Sequence, residues 1–159
     1  GTQIRNSLLM HDTSGAPPVV LGDARECLRT IDAVLAAPAL DDDAFSSYVE
    51  LNQRFHGLLR ELAGSDVIAR ELERVSRMPF ASPSGFVIAQ ANSPHARDML
   101  VVAQDQHWQV VDAVERREGS RAEALMREHS RIAQRNLRDV VRRRRPDDLP
   151  GLQLIRRRS

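Results

Sequence analysis

Apolar residues along this chain recur every three to four positions and nowhere alternate over the length of a strand, so the pattern predicts helices almost throughout. Residues 1–10 read as a short helix or the end of a longer one, and "HDTSGAPPVV" at 11–20 reads as a loop on its glycine and paired prolines. Asp23, with Glu26 three later, looks like the cap of a helix that turns Leu28, Ile31 and Leu35 inward and stops at Pro38. A helix at about 43–63 follows and is closed by Gly64, and Ser65 caps another at 66–77 with Ile68, Leu72 and Val75 on its core face. "MPFASPSG" at 78–85 cannot continue a helix past two prolines, and a short helical piece is expected at 86–91. Ser93 and Pro94 start a helix that runs to about 117. Ser120 and Glu123 form a capping box for the last one, 121–143, which Pro146 breaks. The expected fold is all-α, a mostly antiparallel bundle of about six to seven helices.

The bundle helices do not all have clean faces. In "VELNQRFHGLLRELAG", Asn52 and His56 lie four apart beside the apolar stripe. On the helix after Pro94, Leu100, Ala103, His107, Val110 and Val114 step by three and four. On the last helix Ala122, Leu125, His129, Ile132, Asn136 and Val140 do the same. Three helices therefore each aim an imidazole at one interior, which is expensive unless the rings share a purpose. Each inward histidine taken alone fits a hydrogen-bonded core residue. Taken together with Asn52 they also fit a metal site, because imidazole is a usual ligand of zinc, nickel, copper or iron and an amide oxygen can be a fourth donor. His11 and His95 fall in exposed-looking positions and stand outside the set.

Composition narrows the chemistry. All 23 basic residues are arginine, so lysine-based covalent catalysis is excluded. Cys27 is the single cysteine, which rules out an intrachain disulfide and a thiolate cluster. A net charge of +1 gives no global attraction to nucleic acid; the arginine runs at 142–145 and 156–158 are local. No apolar run is long enough to span a membrane, and a cytoplasmic location is the expectation.

Several stretches carry a family resemblance: "LNQRFHGLLRELAGS", "MPFASPSGF", "AQDQHWQVVDAVERREGSRAEALMREHSRIAQRNL" and "LPGLQLIRR". Together they resemble the FCD effector-binding domain of the GntR superfamily, the C-terminal half of FadR-type bacterial transcription regulators. The shared pattern is an Asp or Asn four before a His, a second His, and a third 22 positions later, as His107 and His129 stand here. The resemblance implies a helical bundle that forms homodimers and binds a small organic acid beside a central metal. It also implies control of operator DNA through an N-terminal winged helix. By matching position, the implied metal ligands are Asn52, His56, His107 and His129. Many relatives carry Asp where this chain has Asn52. Zinc is the favoured ion, with nickel or another divalent transition metal the alternative. Three imidazoles and an amide leave a divalent ion uncompensated, so a carboxylate effector bound to the metal is the expectation. Gln104 and Asn136, with Ser82 and Ser84, are further candidate effector contacts.

On this reading, residues 1–21 are an N-terminal segment too short for a winged helix, 22–145 the metal- and effector-binding bundle, and 146–159 a basic tail. The expectation is a non-enzymatic sensor. Two alternatives stand beside it: a small metalloenzyme activating water or dioxygen, and a metal-free structural dimerisation bundle. The enzyme reading is weakened because Asp105 and Asp112 flank their stripe and Glu50, Glu61 and Glu128 look solvent-facing, which leaves no inward acid or base beyond the ligands.

Overall fold

The structure, a computed structural model, describes residues 16–77 and 95–143. The expectations for 1–10, for 78–85 with Ser82 and Ser84, for the piece at 86–91, for the Ser93–Pro94 start and for the tail lie outside these residues. Five helices are described: α1 (Ala16–Leu35), α2 (Asp42–Ala63), α3 (Asp66–Ser76), α4 (Ala96–Glu115) and α5 (Gly119–Arg143). The fold is all-α, as the periodicity predicts, and among the described residues no helix is long and apolar enough to cross a membrane.

Local chemistry sets most of the boundaries. Asp41 caps α2 by accepting the Ala44 N–H at 2.8 Å, and Gly64 ends it in the left-handed region (φ 54°) that a Cβ disfavours. Ser65 caps α3, its Oγ 3.4 Å from the Ile68 nitrogen. Two sequence expectations are corrected. α1 starts at Ala16 rather than Asp23, because Pro17 and Pro18 fall in the first turn, where the backbone N–H groups have no helical partner. α5 starts at Gly119 rather than after a Ser120–Glu123 box. Glu123 accepts instead from the Ser65 hydroxyl at 2.9 Å, which ties the start of α3 to α5.

Pairings between side chains give the helix directions. Arg25 meets Glu115, Gln104 meets Leu28 and Asp32, and Arg97 reaches the Ala37 carbonyl, so α1 and α4 run antiparallel. Arg121 meets Asp112 and Gln106 meets His129, so α4 and α5 run antiparallel as well. The core between them is built on Leu28, Ile31, Phe55, Leu59, Ile68, Leu72, Val110, Val111 and Met126, all fully buried. Helix α1 contributes the stripe Ala24, Cys27, Leu28, Ile31 and Leu35. The Cys27 thiol sits 3.3 Å from the Leu51 carbonyl of α2, which makes it a packing residue.

Between α4 and α5 the chain turns through a Schellman motif. Glu118 N–H reaches the Ala113 carbonyl at 2.8 Å and Arg117 N–H the Val114 carbonyl at 3.0 Å. The left-handed position, usually glycine, is Arg117 with φ 61°. Arg117→Gly is therefore expected to stabilise the protein by up to about 1 kcal/mol, relief of Cβ strain exceeding the added freedom of the unfolded chain. Urea denaturation of the two proteins measures it, and a lower midpoint for the glycine variant would contradict it.

Candidate metal centre

His56 on α2, His107 on α4 and His129 on α5 meet in the middle of the bundle, all buried, with one ring nitrogen from each within 4.8 Å of the others. His56 and His107 face each other through their Nε2 atoms at 3.4 Å. Their rings stand nearly perpendicular, and His107 stacks obliquely on Phe55 with centroids 4.7 Å apart. Phe55 thus forms an apolar wall beside the rings and keeps water from that side.

Outer hydrogen bonds fix how two of the rings are protonated. Gln104 donates its amide nitrogen to the Leu28 carbonyl (2.9 Å) and to Asp32 Oδ1 (2.8 Å), so its oxygen must be the atom facing His107. That oxygen lies 3.2 Å from His107 Nδ1 and can only accept, so Nδ1 carries the proton and Nε2 keeps its lone pair. His129 Nδ1 lies 2.9 Å from Gln106 Oε1 and donates to it. Both rings then present a bare Nε2, the form a metal requires, with the outer partners that ligating histidines usually have.

Electrostatics agree. Burial, reinforced by the neighbouring His129 and Arg60, pushes the His56 pKa down to about 3. Burial alone pushes His129 down to about 4. His107 is held well below its usual range by burial and then by His129 and His56. At neutral pH the cluster is three neutral imidazoles.

Asn52 stands one helical turn before His56 on α2, and its Oδ1 is buried with no hydrogen-bond partner. An orphaned buried carbonyl is costly, and a cation beside it would remove the cost. The donor set therefore fits a divalent ion. Two nitrogens bound to one zinc at about 2.1 Å can be at most about 4.2 Å apart, so a small ring rotation closes the cluster on an ion. The 3.4 Å between His56 and His107 already matches a tetrahedral angle.

The same two residues, Asn52 and His129, also line a cavity of about 160 Å³ that reaches from the cluster between α2, α3, α4 and α5. Gln106, Asn136 and Tyr48 are its other polar lining residues among those described.

A family model described as the FCD domain matches residues 20–131. The chain belongs to the FCD domain family. FCD domains are effector-binding domains of GntR-family regulators, so this one is a regulatory ligand-binding domain. No curated protein matches the chain.

Within this FCD domain the structure distributes the sequence-derived residues unevenly. It brings His56, His107 and His129 together and leaves Asn52 orphaned beside the cavity. Asn136 lines the cavity, two turns along α5 from His129. Gln104 is not among the lining residues; its amide is turned toward His107 and α1. Two residues that sequence reasoning did not single out complete the arrangement. Gln106 orients His129 and also lines the cavity, and Asp32 holds both Gln104 and the Trp108 indole (3.0 Å). Gln106 precedes His107 by one residue and so lies off the apolar stripe, and Asp32 looks like an ordinary exposed acid among Leu28, Ile31 and Leu35.

Proposed function

We propose that this FCD domain senses a small carboxylate that binds directly to a divalent transition ion, zinc by preference, held by Asn52, His56, His107 and His129. The observation that carries the reading is the junction of cluster and cavity. His129 belongs to the cluster and, with the orphaned Asn52, also lines the cavity, so an ion held there would have one side open to the cavity. Among the described residues no acidic side chain lines that cavity, and the cluster itself is neutral. The ion supplies two positive charges and an open coordination position; a carboxylate completes the coordination and offsets the charge in a low-dielectric interior. Gln104 and Gln106 hold two ligand rings in the right tautomer, and Phe55 excludes water from one side.

In the complete regulator, a homodimer of such domains would pass the binding event to operator DNA through a winged-helix domain as a population shift between helix arrangements. Calorimetric titration with carboxylates, on zinc-loaded and on chelator-stripped protein, tests the coupling. At least a tenfold tighter Kd in the loaded form is expected, and equal affinities would refute it.

A further inference from the structure

The body of the cavity says what kind of acid it takes. From the geometry we infer that the effector is a monocarboxylate with a compact apolar body about the size of one aromatic ring; this rests on the carboxylate-on-metal reading above. Three observations carry it.

The first is charge. Among the described residues, no arginine, aspartate or glutamate lines the cavity. A second carboxylate on the ligand would be buried without a cation, which is strongly unfavourable. The second is polarity. Beyond the cluster end the walls are mostly apolar, Phe45, Met99, Leu100, Ile132 and Ala133 among them, with the Tyr48 hydroxyl and the Asn136 amide as the polar groups among the described residues. A polyhydroxylated sugar acid would leave most of its hydroxyls without partners against such walls. The third is size. The volume of about 160 Å³ is close to that of apolar cavities of roughly 150 Å³ that take up benzene. A long acyl chain would extend beyond that space and leave part of its length unburied. His129 and Asn136 are seven residues apart on α5, about 10 Å along the helix. A ring with its carboxylate on the ion therefore ends near the Asn136 amide, which accommodates one uncharged polar substituent such as a hydroxyl.

The test is a calorimetric panel on the zinc-loaded chain with acetate, benzoate, 4-hydroxybenzoate, octanoate, succinate, citrate and gluconate, repeated after chelation. Benzoate and 4-hydroxybenzoate are expected to bind at least tenfold more tightly than succinate, citrate, gluconate or octanoate. Ala133→Leu, which narrows the cavity one turn along the helix from His129, is expected to weaken benzoate at least tenfold more than it weakens acetate. Tighter metal-dependent binding of a dicarboxylate, a sugar acid or octanoate would overturn the ligand class while leaving the metal-coupled reading intact. So would an unchanged benzoate affinity in a folded Ala133→Leu protein. Benzoate selectivity that survives chelation unchanged would support the ligand class and refute the metal coupling instead. Binding of no carboxylate at all would overturn both. Should the leucine variant fail to fold, the panel on the unaltered chain decides alone.

Discussion

Replacing His107 by alanine is expected to lower zinc affinity by well over 100-fold while the bundle stays folded. His107 contributes one of three ring nitrogens and faces His56 across 3.4 Å, so its loss leaves no arrangement of the remaining groups that encloses the ion. Loss of a mere outer partner of a ligand typically costs 10- to 100-fold, and loss of a ligand exceeds that. Stability moves less, because two effects oppose each other. The variant leaves a hole against Phe55 and strands the Gln104 oxygen, yet it also removes a polar ring whose burial costs desolvation even in its neutral form. A competition titration against a chromophoric chelator reads the affinity, and circular dichroism the fold. Wholesale unfolding would favour a structural role for the ring, and unaltered zinc affinity would remove it from the ligand set.

Acid is the second large lever. In metal-free protein, each of the three histidines has a folded pKa below its unfolded value of 6.5. Above pH 6.5 neither state binds the protons, and the histidines leave stability independent of pH. Below it the unfolded chain takes them up and the folded chain does not, so stability falls as pH falls, down to the folded pKa values of about 3 and 4 for His56 and His129. Each ring contributes about 1.4 kcal/mol per pH unit, so three contribute about 4. By pH 5 the loss reaches about 6 kcal/mol, comparable to the whole stability of an ordinary domain. Chelated protein is therefore expected to unfold between about pH 6 and pH 5, with zinc moving the transition to lower pH. Urea midpoints at pH 7, 6 and 5 test it, and an unchanged midpoint at pH 5 would show that the rings are not held neutral. In His107→Ala the slope with pH should fall by about one third.

Much of this could be read from the chain itself, for physical reasons that also mark where reading stops. Helix period and caps are local, so Gly64 and Ser65 act where their sequence context puts them. The register of His56, His107 and His129 was legible because each sits on or beside an apolar stripe, and stripes converge in a bundle. What lies across from a residue is not local. Gln104, expected at the pocket, finds its partners on α1, 76 and 72 positions away. Glu123 meets Ser65 rather than its own helix start for the same reason. The prolines at 17 and 18 misled because a proline that breaks a helix interior also suits a first turn.

The bonds around Asp32 have a practical consequence. Trp108, the single tryptophan of the chain, donates its indole N–H to Asp32 Oδ2, whose other oxygen holds the Gln104 amide, whose own oxygen receives the His107 proton. The fluorophore is thus joined to a histidine of the cluster through three successive hydrogen bonds, and no second indole dilutes its signal. The protein carries its own optical probe, and rotation of the His107 ring is expected to change the emission of Trp108 without a label.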